Sequence, residues 1–399
     1  MKVLFSAAPA TGRSCAFLPL ARAFAERGHQ VAVLSAGVPH PALRQALARV
    51  RCTYLNTDPS GRMRVPAASE AAAVRLETCG ERSLHLAGDW RPDLVINEPY
   101  DFTGVFVARA LRRPLATVAN GPAAPPEYTD ALTRGVAGWF ARHRLDPPAL
   151  VPAGQWLINT RPEALGAWPV PPGVTALTLR PTDDAATVVP SSGRRPRVLV
   201  ALGAHFGDRS TVHRVLGALT SGRHPELLVR ERSLPPHSPL ANRVSRAAFR
   251  PSADRFPGTA TALVHGGSET VLNLLAQGVP LVVLPLGPGQ FVEAVLTQRA
   301  GCGVALLVPP GRLRDLAPGH LRSVMAEVMG NPWYRSNAER VAAEIAAMPT
   351  AARVADQLAT AVRGDRVRPT RLRPPGPDPG RAPRKAPPTA ETPHAMTAS

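Results

Sequence analysis

Lysine is almost missing from this chain. Among 399 residues only Lys2 and Lys385 carry an ammonium, so the formal charge of +18 is nearly all arginine. No basic run is interleaved with aromatics that could stack on bases, and no nucleic-acid-binding motif occurs; the charge does not imply a nucleic-acid partner. The arginine excess, beside abundant alanine, proline and glycine, reads as a compositional bias. Cysteine is scarce as well: Cys15, Cys52, Cys79 and Cys302 form no C-x-x-C pair and show no metal-ligand spacing. A disulfide framework and a zinc site are thereby excluded, and reduced, mostly buried thiols are expected. Long apolar runs are absent too. The longest, Val271 to Leu286, is broken by Asn273, Gln277, Gly278 and Pro280, so no stable membrane insertion is expected. At the N-terminus Lys2 and a short apolar run are followed by Arg13 before any full signal core, which reads as a first strand of a cytoplasmic protein.

What is present suffices for two domains. The apolar fraction is 44%, ordinary for a globular protein, and the length allows two cores. The informative stretch runs from Thr261 to Val308. Ala262 to Val264 reads as a buried parallel strand, His265-Gly266-Gly267 as a turn, and Ser268 as the start of a helix closed by Gly278 and Pro280. A second strand, Leu281 to Leu284, completes a βαβ unit. The helix N-terminus directs free N–H groups at the turn and forms a phosphate site, with His265 as an added donor. A Gly-Gly turn taken alone is equally ordinary packing geometry.

The start of the chain has the same order. A strand at Lys2 to Ala7, a loop containing Gly12-Arg13, a helix from Phe17 to Glu26 and a strand at Gln30 to Ser35 open a doubly wound α/β domain. Helix and strand follow at Pro41 to Arg51 and Cys52 to Asn56, then a helical stretch within Asp58 to Ala87. Leu94 to Ile96 is a buried strand that ends at Glu98 and Asp101, ahead of a helix from Phe102 to Leu111 and a strand at Leu115 to Val118. Carboxylates at the carboxyl end of a parallel strand stand where open α/β sheets bind ligands. Asp101 is also placed to cap its helix, and Glu98 reads equally as an exposed loop residue. Pro162 to Arg195 has no sustained period and reads as a linker. A strand at Arg197 then runs into Gly203, followed by a helix at Thr211 to Ser221, a strand at Glu226 to Arg230 and three late helices. From Gly364 the chain is proline-rich, basic and poor in apolar residues, the composition of a disordered tail.

The string HGGSET, the following QGVP and Gln290 eight residues after Val282 resemble the donor-binding signature of family 1 glycosyltransferases. WRPDLV-x-x-EP-x-x-F-x-G around Glu98, Gly154-Gln155-Trp156, and NPWYRSNAERVAAEIAAMPTAARVADQL are similar to the actinobacterial transferases that attach deoxysugars to macrolides and polyketides. The resemblance covers roughly residues 1 to 362. It implies the GT-B fold, two facing Rossmann-like domains with a cleft between them: 1–160 for the acceptor, 161–195 as linker, 196–362 for the nucleotide sugar and 363–399 as tail.

The resemblance also implies an inverting, metal-independent transfer from a dTDP- or UDP-sugar to a secondary-metabolite aglycone, with no other cofactor. Donor contacts are expected from His265, Gly266, Gly267, Ser268, Thr270, Gln290 and Gly203, and a cytochrome-P450-like activator is a partner of some similar enzymes. Four family positions differ: Arg13 where a basic histidine is usual, Ala204 for a hydroxyl residue, Glu269 for glycine, and Gly289 for an acid. A guanidinium cannot take a proton at neutral pH. The expected base is therefore Glu98 or Asp101, with Arg13 assigned to binding an anionic group of the substrate. The same departures leave open a catalytically degenerate homologue that serves as a partner or scaffold protein.

Overall fold

In a computed structural model the chain is described over residues 1–7, 16–37, 39, 41–59, 71–149, 151, 153–182, 196–202, 209–220, 226–230, 244–247, 256–309 and 312–365. Arg13, Gly203, Ala204, Cys15 and the stretch 366–399 lie outside these residues.

Seven short strands of the first half are β1 (Lys2–Ser6), β2 (Gln30–Ser35), β3 (Thr53–Asn56), β4 (Leu94–Asn97), β5 (Leu115–Ala119), β6 (Trp156–Asn159) and β7 (Thr175–Thr178). They pair in the order β3-β2-β1-β4-β5-β6-β7, and every pair is parallel. Parallel neighbours need crossovers, supplied here by α1 (Leu18–Glu26), α2 (Pro41–Arg49), α3 (Ala71–Trp90), α4 (Phe102–Ala110) and α5 (Pro126–Arg142). Alternation along β1 shows why both faces are covered. Val3 and Phe5 enter one apolar cluster and Leu4 enters the other, so the sheet is buried on both sides.

The second half repeats the plan. Strands β8 (Arg197–Ala201), β9 (Glu226–Arg230), β10 (Ser245–Ala247), β11 (Thr259–Val264), β12 (Leu281–Val283) and β13 (Gly303–Ala305) form a sheet in the order β10-β9-β8-β11-β12-β13. Its helices are α6 (Arg209–Thr220), α7 (Ser268–Leu275), α8 (Pro288–Arg299), α9 (Pro318–Gly330) and α10 (Pro332–Ala347). Again Val198 and Val200 pack on one face and Leu199 and Ala201 on the other.

Both orders reverse direction beside their first strand, between β1 and β4 and between β8 and β11. Ligands in open α/β sheets bind at that crevice, beyond the carboxyl ends of the strands. No described helix is long and apolar enough to cross a membrane.

Three expectations need correction. The 161–195 stretch is not only a linker, because β7 lies within it and pairs with β6 along Trp156 to Asn159. Four residues exposed on most sides carry no burial pattern that a sequence could reveal. The second half also does not keep its last helix. In α11 (Ala351–Asp365), Val354, Ala355, Leu358 and Val362 are buried with Val3, Phe5 and Leu20 of the first half. The chain crosses back where the Arg180 N–H donates to the Pro349 carbonyl at 2.9 Å. Finally, α5 is a further element, and its buried stripe of Leu132, Val136, Trp139 and Phe140 keeps helical spacing.

Candidate active site

The first switch point is built around Asn97 at the end of β4. Its Nδ2 donates to the Asp101 carbonyl at 3.0 Å, and its Oδ1 accepts from Thr117 Oγ1 at 2.8 Å. This closes the 97–101 turn and starts α4 immediately after it. Asp101 is the N-cap, accepting from the Thr103 and Gly104 amides. Arg75 of α3 adds a charged bond to the same carboxylate at 2.7 Å and another to the Ala7 carbonyl.

With its side chain fully buried and three donors on its two oxygens, Asp101 serves as a cap and a counter-ion. Its expected place as a catalytic base is corrected accordingly. Glu98 is 4% exposed, so it is not an exposed loop residue, and it stands three residues ahead of the cap beside the same strand end. Arg75 was not legible as a site residue, because nothing in the local pattern of α3 points to a partner at position 101.

The second switch point holds the glycine turn. After β11 the backbone turns at Gly266, whose φ of +84° is strained for any side chain and whose Cβ would meet the Gln290 carbonyl at 3.0 Å. Gly267 is the N-cap of α7 and has no side chain to cap with. A Cβ there would strike His265 Nε2 at 2.6 Å. The turn thus leads straight into the first turn of α7, which has no side-chain cap.

His265 is held at this spot by its Nδ1, 3.1 Å from the Ala201 carbonyl of β8. A carbonyl only accepts, so Nδ1 bears a proton and donates it to Ala201.

Two expected donor contacts are differently engaged. The Ser268 hydroxyl donates to Glu293 Oε2 at 2.6 Å, so its single proton is already committed to a carboxylate. Gln290 is the third residue of α8, and its Oε1 accepts from the Leu286 and Gly287 amides at 2.8 and 3.2 Å. This oxygen caps the helix. Thr270 stands in the first turn of α7, half-buried.

The two halves meet across this site. Gly121, after β5, approaches so closely that a Cβ on it would stand 3.4 Å from Ser268 Oγ. Beside it a pocket is lined by Asn120 and Thr160 from the first half and by Glu269 and Asn273 from α7. Glu269 thus lines the space between the halves. Behind Ser268, Glu293 pairs with Arg161 at 2.9 Å, both side chains fully buried. Neither was legible as a pair, since they lie 132 positions apart.

Comparison with known proteins agrees with this layout. Residues 68–193 match the N-terminal domain, and 214–361 the C-terminal domain, of the erythromycin biosynthesis protein CIII-like family. The 3-alpha-mycarosylerythronolide B desosaminyl transferase of Saccharopolyspora erythraea is 26% identical over 89% of this chain and 96% of its own length. L-demethylnoviosyl transferase of Streptomyces niveus is 29% identical over 91% and 99%. Among solved structures, the glycosyltransferase SsfS6 of Streptomyces sp. SF2575, complexed with thymidine diphosphate, superposes with a TM-score of 0.68 at 22% identity, covering 90% of this chain and 99% of that one. With both of its halves matched in order and its two switch points facing one cleft, the chain belongs to the erythromycin biosynthesis protein CIII-like glycosyltransferases, enzymes of the GT-B fold.

Proposed function

We propose that this glycosyltransferase moves a deoxysugar from a thymidine or uridine diphosphate donor to a polyketide-type aglycone, with inversion at the anomeric carbon. One observation carries the reading: the uncapped N-terminus of α7, flanked by His265, opens at the second switch point directly against the first half at Gly121. The backbone N–H groups of the first turn and His265 would take the charge that grows on the leaving diphosphate, without a metal ion. Glycines 266 and 267 allow the close approach, with the Thr270 hydroxyl beside it and Gly203 following β8. Gln290 offers its amide N–H groups to the sugar.

An aglycone hydroxyl enters from the first half, on the face opposite the diphosphate. As its oxygen bonds to the anomeric carbon, the carbon–oxygen bond to the diphosphate breaks and the hydroxyl proton passes to a base. Glu98, buried at the end of the same strand, is the base in this reading. Arg13 would bind an anionic group of donor or acceptor.

Desosaminyl and demethylnoviosyl transfer by the relatives support the sugar class, and the SsfS6 complex supports thymidine diphosphate. Titration with dTDP and UDP, then product stereochemistry by NMR on a panel of polyketide aglycones with dTDP-sugars, tests the reading. Micromolar nucleotide binding and an inverted linkage are expected; absence of binding to either nucleotide sinks it.

The closed Arg75–Asp101 pair also supports a second reading, a homologue that has lost catalysis and acts as a partner protein. Nucleotide binding without turnover, with turnover appearing in Arg13→His, would favour it.

A further inference from the structure

Arg161 leaves the first sheet two residues after β6 and opens a short segment that enters the second half. Leu165, within the 3-10 turn Glu163–Leu165, is fully buried among Leu199, Val264 and Leu281 of the second half. The guanidinium is fixed on every side: Nε donates to the Gly166 carbonyl at 3.1 Å and Nη2 to the Leu165 carbonyl at 2.7 Å. Nη1 donates to both oxygens of Glu293, at 3.2 and 2.9 Å. The Glu293 carboxylate receives a third bond, on Oε2 from Ser268 Oγ at 2.6 Å.

A charge pair this deep does little for stability. Desolvating two ions offsets most of their attraction, and an apolar pair of similar volume commonly serves as well. An apolar pair cannot, however, hold the hydroxyl of Ser268. That hydroxyl belongs to the first residue of α7, whose cap Gly267 supplies no side chain. Glu293 also lies one turn beyond Gln290 on α8, so the same carboxylate ties the starts of both helices to a residue of the opposite half.

We propose that Arg161 and Glu293 are positioning residues: through Glu293 the first half sets the first turn of α7, and so the placement of the N–H groups that take the donor diphosphate. The inference rests on the nucleotide-sugar reading above. Its content is that nucleotide affinity in the second half depends on a residue of the first.

Calorimetry with thymidine diphosphate and thermal melting of the full chain test it. Removing both charges together in Arg161→Met/Glu293→Leu should leave the melting temperature within about 3 °C of wild type. Affinity for dTDP should nevertheless fall about tenfold, since the tether to Ser268 is gone. Ser268→Ala should weaken the wild type about fivefold and the double variant by less than about twofold, because both changes remove one relay. Glu293→Gln gives an independent reading, since an amide keeps the volume but has one acceptor oxygen for two donors; it should also weaken binding and make Ser268→Ala silent.

Full dTDP affinity in the double variant or in Glu293→Gln overturns the inference, as does an equal Ser268→Ala loss in both backgrounds. A wild-type chain that binds neither dTDP nor UDP overturns the proposed function and this inference with it.

Discussion

Arg75 and Asp101 are joined by a buried bond of 2.7 Å, 26 positions apart in sequence, at the end of the strand where the base was sought. Asp101, one of the two carboxylates expected there, is the counter-ion of an arginine and the cap of a helix. Asp101→Asn should therefore act on folding. Leaving a buried guanidinium without its partner costs about 3–5 kcal/mol, measurable by urea unfolding. An unchanged unfolding midpoint with abolished turnover would return Asp101 to the catalytic machinery.

Glu98 is the second carboxylate beside that strand end. In Glu98→Gln the shape is kept and the basicity removed, so turnover should drop by about 10²–10⁴-fold. Affinity for dTDP should be nearly unchanged, because the proposed reading seats the nucleotide on the other half. Full turnover in this variant would remove Glu98 from the mechanism.

His265 is tied to Ala201 through Nδ1, which leaves Nε2 as the ring nitrogen offered to a diphosphate in the proposed reading. His265→Ala should weaken dTDP binding by about 1.5–3 kcal/mol, the range for a hydrogen bond to a charged group. Equal affinity in both proteins would place the diphosphate elsewhere.

Gly289 is exposed in the first turn of α8, and a Cβ on it would meet nothing within 4 Å. Gly289→Asp should be tolerated and should gain about 0.3–1 kcal/mol from the helix dipole. In the nucleotide-sugar reading it also restores a carboxylate beside Gln290. Donors whose sugar keeps its hydroxyls should then improve relative to deoxysugar donors, which a competition assay between dTDP-glucose and a dTDP-deoxysugar would show.

The last helix belongs to the first half. Leu358 is fully buried against that core, and Leu358→Ala should cost about 2–5 kcal/mol. Ending the chain after Asp365 should leave the melting temperature within about 1 °C, because the proline- and arginine-rich composition beyond it offers little apolar surface to bury. Ending it after Thr350 should instead unfold the first half.

Much of this protein was written locally. Buried strands four to six residues long, bounded by Gly, Pro and capping residues, disclose a doubly wound sheet because parallel strands covered on both faces must be continuously apolar. The His265-Gly266-Gly267 turn was equally legible, since only glycine accepts the φ of Gly266 and the close packing at Gly267.

Other features depend on residues far apart in sequence, and no local period encodes them. β7 is too short and exposed to carry a pattern, and α11 bears an apolar stripe that does not say which core it will join. Asp101 precedes its helix in a way that permits both a cap and a base, and only Arg75, brought in by α3, decides between them. Ser268 reads as a phosphate ligand until Glu293 is found taking its proton. The sequence by itself determined the two sheets and the glycine turn ahead of α7, because local sterics and periodicity govern both. Which polar groups remain available for chemistry was decided by the tertiary structure, because a hydrogen bond or an ion pair is spent by whichever partner the fold brings within 3 Å.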